Sequence, residues 1–261
     1  MPEAVPEMNE LFRSGRLHLA GHLAVPEGEN RKRPGLVIAH GFPAGLEGGT
    51  NSAATFPGLA DRIAEELGWV VLTFNYRGCG GSEGEFSLLG WLDDMLAATA
   101  FVAARSDVEG VWAAGFGTGG ALSVCAGARS RLIRGVAALA APADFEDWAR
   151  HPRRLLDHAR QVEVINDRGF PRSFESWARE LQMISAVRSA ERMRGKSLLL
   201  VHGSEDEVVP VFDARMVGDA HQEAEIRVIT GAAHHLRHDP RAIAIFMGWL
   251  TRQQHRRGVT F

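Results

Sequence analysis

The stretch that most constrains this chain is Gly115-Phe116-Gly117-Thr118-Gly119-Gly120. An apolar run, Val111-Trp112-Ala113-Ala114, precedes it, and a run of small residues, Ala121-Leu122-Ser123-Val124-Cys125-Ala126, follows. A strand, a glycine-rich turn and a helix in that order admit two machines. One is the sharp turn G-x-S-x-G, which holds a nucleophilic serine on strained backbone. The other is the dinucleotide fingerprint G-x-G-x-x-G, which lays a pyrophosphate on a helix N-terminus. Gly115, Gly117 and Gly120 satisfy the second literally. Gly115 and Gly119 satisfy the first, except that Gly117 stands where the serine belongs.

The pattern on either side of this turn is α/β. Leu36-Val37-Ile38-Ala39, Trp69 to Phe74, Val111 to Ala114, Val136 to Ala140, Ser197 to Val201 and Glu225 to Ile229 read as strands. Short continuous apolar runs of this kind suit strands buried on both faces of a parallel sheet. Phe56 to Leu67 has helical spacing and stops at Gly68, a C-cap residue type. Leu88 to Ala104, Ala121 to Ala128, Phe212 to Ala220 and Ile243 to Leu250 read as further helices, and Arg16 to Val25 as a strand or hairpin arm. Alternating strands and helices predict a mostly parallel, doubly wound sheet. Residues 142–194 break the alternation: they are rich in charge, contain Trp148 and Trp177, and read as helices over Asp147 to Val164 and Ser173 to Met183. They are expected to form a helical cap over the carboxyl edge of the sheet, with 16–141 and 195–255 as the core of a single domain.

Bulk properties narrow the function. The chain has 261 residues, 45% of them hydrophobic, and a formal net charge of −3, which gives no nucleic-acid footprint. The basic clusters Arg31-Lys32-Arg33 and Arg252 to Arg257 read as a loop and a tail on the solvated surface. Two cysteines, Cys79 and Cys125, make no disulfide framework, so a reducing cytoplasm is the expected compartment. Residues 1–10 read as a disordered lead without the basic and apolar regions of a secretion signal. No apolar run approaches a membrane span. A homodimer stays open.

The two readings of the turn make different demands. A dinucleotide fingerprint belongs in the first strand-helix-strand unit, whereas at least two strands and two helices precede Gly115. A nucleophile turn needs an acid after a later strand and a histidine after the next. Leu198-Leu199-Leu200-Val201-His202-Gly203-Ser204-Glu205-Asp206 supplies the first, and Val228-Ile229-Thr230-Gly231-Ala232-Ala233-His234 the second. An early strand also ends at His40-Gly41-Phe42-Pro43, and another at Asn75-Tyr76-Arg77-Gly78-Cys79-Gly80-Gly81-Ser82.

With these five segments in order, the chain resembles the α/β-hydrolase fold family over about residues 16–252. It looks most like the bacterial esterase, acylaminoacyl-peptidase and dienelactone-hydrolase-like members. The resemblance implies eight mostly parallel strands, a cap after the sixth, and a site beneath it. It implies His234 as general base and acid, and Asp206, rather than Glu205 or Glu207, as its orienting acid. It implies the backbone N–H groups of Phe42 and Thr118 as the oxyanion hole. His40, Trp148 and Trp177 are candidate ligand-contacting residues. His40 also reads as a structural residue of its loop, and the tryptophans as cap packing. His234, His235 and His238 match no familiar metal spacing, so no metal or cofactor is expected.

The nucleophile's role falls on Gly117, which has no side chain with which to form an acyl-enzyme. Thr118, Cys79, Ser82 and Cys125 are unconvincing substitutes. Three accounts stay open. The pocket binds a small apolar, acyl or ester-like ligand without turning it over. The His234–Asp206 dyad runs water-mediated or other acid–base chemistry. Or a glycine has been introduced at 117 into an active serine hydrolase.

Overall fold

The computed structural model describes residues 8–28, 32–45 and 48–255. Within them lie eight strands: β1 (Glu10–Ser14), β2 (Leu17–Ala24), β3 (Arg33–Ala39), β4 (Val70–Phe74), β5 (Val108–Phe116), β6 (Ile133–Leu139), β7 (Ser197–Gly203) and β8 (Glu225–Ile229). The helices among these residues are α1 (Gly48–Asn51), α2 (Phe56–Leu67), α3 (Leu88–Ala103), α4 (Thr118–Arg129), α5 (Glu146–Arg150), α6 (Pro152–Gln161), α7 (Phe174–Met183), α8 (Ala186–Glu191), α9 (Val211–His221) and α10 (Pro240–His255). One sheet takes all eight strands in the order β1-β2-β4-β3-β5-β6-β7-β8. The β1–β2 and β2–β4 pairs are antiparallel, and every pair from β4–β3 to β7–β8 is parallel.

The apolar runs are continuous because both faces of the central strands are covered. Along β5, Val111 and Ala113 join the core beneath α3 and α4, while Trp112, Ala114 and Phe116 join the core beneath α2 and α10. This is a two-residue period with hydrophobic partners on both sides. Fully buried Trp69, Trp91, Phe74 and Phe246 are among the largest members. Each such side chain contributes about 1.5–3 kcal/mol of transfer free energy.

Several local expectations hold, and several need correction. Gly68 ends α2 with φ of 71° and donates to the Ala64 carbonyl at 2.9 Å. α4 begins at Thr118, three residues before the expected helix, because Gly117 itself is the N-cap position. Arg33 was expected in a solvated loop, but it opens β3 and is buried. Its guanidinium donates to the carbonyls of Pro26 and Glu27 at 3.0 and 3.1 Å, so main-chain acceptors replace water. The lead expected over residues 1–10 falls on residues 1–7, outside the described residues, and on the start of β1. β1 pairs with β2 through a turn at Gly15, whose φ is 61°. Arg252 lies in α10 and bonds Glu225, while residues 256–257 are outside the described set.

Between β6 and β7 the helical reading is refined. Pro152 divides the first stretch into α5 and α6, and α8, unforeseen, caps its own start through Ser185 Oγ. α8 packs on α4 and α9, whereas α5 and α7 pack together, with α7 also meeting α3. No helix among the described residues is long and apolar enough to cross a membrane.

Candidate active site

Parallel strands bring their carboxyl ends to one edge, and four loops converge there. His40 to Phe42 follow β3, Gly117 follows β5, Asp206 follows β7 and His234 follows β8. The glycines of the central turn have separate physical reasons. A side chain at Gly115 would collide with the Gly119 main chain, and one at Gly119 with the His40 and Ala39 carbonyls. A Cβ at Gly120 would meet Ala141 Cβ at 2.9 Å. Close approach of α4 to β5 and β3 therefore accounts for these three without a pyrophosphate.

Gly117 is different. Its φ of 53° and ψ of −125° are the sharp backbone of a strand-to-helix turn, and its N–H donates to the Leu139 carbonyl at 2.8 Å. A Cβ built there would have room: the nearest atom is His234 Nε2 at 3.6 Å, then Gly41 Cα at 3.7 Å. A side chain at this position would thus point at the imidazole. Thr118 opens α4 beside it, and Phe42 follows Gly41. The first two N–H groups of this twelve-residue helix, at Thr118 and Gly119, have no acceptor within it and attract negative charge, whereas the Gly120 N–H donates to the Gly117 carbonyl at 2.9 Å.

His234 is joined to Asp206 through Nδ1, at 2.9 Å from Oδ2 and 3.1 Å from Oδ1. The carboxylate accepts only, so Nδ1 carries a proton and Nε2 faces position 117 as the basic nitrogen. The Asp206 side chain is fully buried. Burial alone would push its carboxyl up, but hydrogen bonds from His202, His234 and the Val209 N–H outweigh this and hold it well below the usual range. Its Oδ1 also accepts from Val208 N–H at 2.9 Å and Val209 N–H at 2.8 Å.

The other expected contact residues separate. His40 is buried, accepts from the Tyr76 N–H at Nε2 (3.3 Å) and donates from Nδ1 to the Gly41 carbonyl (2.7 Å). Burial lowers it to about 4 in spite of the Gly41 bond, so it is neutral at pH 7 and ties the β3 loop to the β4 loop. Trp177 is buried and donates to the Phe86 carbonyl at 3.1 Å. Trp148 is half-buried, with its ring 5.1 Å from that of Phe42. Phe42 also meets Phe86 at 4.9 Å and His158, on α6, at 5.8 Å, so α5 and α6 touch the loop that carries it.

The substitute nucleophiles are occupied elsewhere. Burial pushes the Cys79 thiol up to about 12 and raises Cys125 too. Ser82 Oγ donates to the Asn75 carbonyl at 2.7 Å and accepts from the Ala20 N–H at 2.9 Å. Thr118 is buried. The Asn75–Ser82 loop is pinned by Arg77, which grips the wholly buried Asp94 at 2.6–3.1 Å. Among the described residues, no group of three or more His, Cys, Asp and Glu side chains could hold a metal ion. Sequence reasoning missed His158, Phe86 and the second histidine on Asp206, His202. The visible signal for His202 was its place four residues before the acid.

Sheet order and the placement of these turns are those of the α/β-hydrolase class. The chain belongs to that family: the profile of the alpha/beta hydrolase fold matches residues 34–184, more than half its length. It is similar in structure to Est1E from Butyrivibrio proteoclasticus, with a TM-score of 0.71 at 19% identity over 95% of this chain and 97% of that one. It is similar to an alpha-beta serine hydrolase homologue from Coxiella burnetii, with a TM-score of 0.60 at 20% identity over 96% and 99%. A third likeness is to Pyrococcus horikoshii acylaminoacyl peptidase, with a TM-score of 0.65 at 20% identity over 93% of this chain and 40% of that one. At these identities the likenesses establish the fold. No curated protein matches the sequence.

Proposed function

We propose that this protein binds a small acyl, ester-like or carboxylate ligand at the Gly117 turn and does not turn it over through an acyl-enzyme. The observation that carries the reading is the Gly117 geometry, where a Cβ would stand 3.6 Å from His234 Nε2 on backbone shaped for a nucleophile. Base, acid and anion-binding N–H groups surround a position with no attacking atom. Removing the serine of such a unit leaves about 10³–10⁴-fold catalysis over water, far below useful turnover. α5–α7 act as the cap in this reading, with Phe42, Phe86 and Trp148 as an apolar wall.

The test is a melting-temperature shift with carboxylate probes, butyrate and phenylpropionate, beside an assay of p-nitrophenyl butyrate hydrolysis. A structure of Est1E holds ferulic acid, which makes that acid a third probe. A ligand that raises the melting temperature and is recovered unchanged supports the proposal. Ester turnover by the native chain that His234→Ala abolishes would instead favour general-base chemistry by the dyad.

A further inference from the structure

We propose that His202 is a positioning residue for this site, holding the Asp206 carboxylate and its turn in the one arrangement that orients His234. The inference rests on the reading of Asp206 and His234 as an acid–base pair.

His202 Nε2 lies 2.9 Å from the Val209 carbonyl and 3.2 Å from Asp206 Oδ2. Both partners are acceptors when Asp206 is ionised, so Nε2 must carry the proton and share it between them. Asp206 then receives four donors: the Val208 and Val209 N–H groups on Oδ1, His202 on Oδ2, and His234 shared between Oδ2 at 2.9 Å and Oδ1 at 3.1 Å. His202 closes the loop of contacts. Val209 gives its N–H to Asp206 and its carbonyl takes the His202 proton, so one imidazole ties both sides of the 206–209 turn.

His202 is buried on β7, in register with Val228 of β8. The ring borders a small cavity with apolar walls, among them Val124, Ala138, Leu200 and Val217. A carboxylate with one donor fewer could rotate, and His234 Nδ1 would follow it. Displacing a reacting group by an ångström is enough to impair chemistry.

Nitrogen–proton NMR of the histidine rings reads the arrangement in the native chain. His202 is expected as the Nε2–H tautomer, and His234 as Nδ1–H with its proton shifted downfield by Asp206. His202→Gln, whose amide nitrogen can stand near the lost Nε2, is expected to keep the His234 resonance. His202→Leu is expected to lose it or move it upfield. A His202 in the Nδ1–H tautomer, or a folded His202→Leu protein with the His234 resonance unmoved, overturns the proposal. Should His202→Leu fail to fold, the native tautomer and the Gln variant decide. In a Gly117→Ser background, His202→Leu is expected to lower kcat by about ten- to a hundredfold at unchanged KM. His202→Gln should restore most of it. Absence of any ester hydrolysis in Gly117→Ser would overturn the acyl-transfer reading of the site, and the NMR result alone would then judge His202.

Discussion

The turn after β5 and the turn after β7 share one edge of the sheet, yet different forces hold them. The first is closed by packing: Gly115, Gly119 and Gly120 let α4 settle against β5 and β3, and no side chain at 117 takes part. The second is a polar lattice centred on Asp206, with donors from Val208, Val209, His202 and His234. In the first, shape is independent of the chemical group. In the second, the chemical group is the scaffold. On the proposed reading, the fold does not depend on a side chain at 117, whereas replacing Asp206 would disturb its turn as well as the orientation of His234.

The largest effect is expected in the Gly117→Ser protein. There, Asp206→Asn should lower kcat by about 10⁴-fold, because the wrong His234 tautomer results. A loss under tenfold would mean the lattice does not orient His234. The Asn75–Ser82 loop is held by charge. Arg77→Met leaves buried Asp94 without its partner and should destabilise the protein by about 3–5 kcal/mol in urea unfolding. Adding Asp94→Leu should recover much of that; no recovery would locate the effect elsewhere.

The β3 loop should make stability depend on pH through His40. His40 is lowered from 6.5 to about 4 when folded, so between these values the unfolded chain takes a proton that the folded chain refuses. Stability should thus fall by at most about 3 kcal/mol as pH drops through this window and should stay level above it. Asp206, held low, titrates beneath the window. His40→Gln should flatten the profile of urea midpoints, and superimposable profiles would refute the assignment. The smallest effect belongs to Gly117→Ser itself. A serine at φ of 53° and ψ of −125° should cost about 1–3 kcal/mol in stability, measured by urea unfolding. A much larger loss would show that position 117 is as tightly packed as its neighbours.

What was legible in the sequence follows from how each part is stabilised. β3, β4, β5 and β7 were visible because burial on both faces requires unbroken apolar runs, as in Leu36–Ala39. β1 was not, because Glu10 to Ser14 alternates exposed with buried and depends on its partner β2. Arg33 misled because its charge is satisfied by carbonyls that only the folded loop supplies. The order of Gly117, Asp206 and His234 was readable, since each follows a strand. The second histidine on Asp206 was not, because strand register and the 206–209 turn together create that contact. His40 was visible as a loop residue, but its neutrality arises from tertiary burial beside Tyr76 and Trp91.

On the proposed reading, a base, its orienting acid and anion-binding N–H groups surround a position that lacks an attacking atom. p-Nitrophenyl ester hydrolysis by the native chain and by Gly117→Ser under the same conditions tests this. The native chain should stay near the buffer rate, and adding the serine should raise the rate by at least about 10³-fold, a gain lost again with His234→Ala. A folded Gly117→Ser protein that remains at the native rate would contradict it.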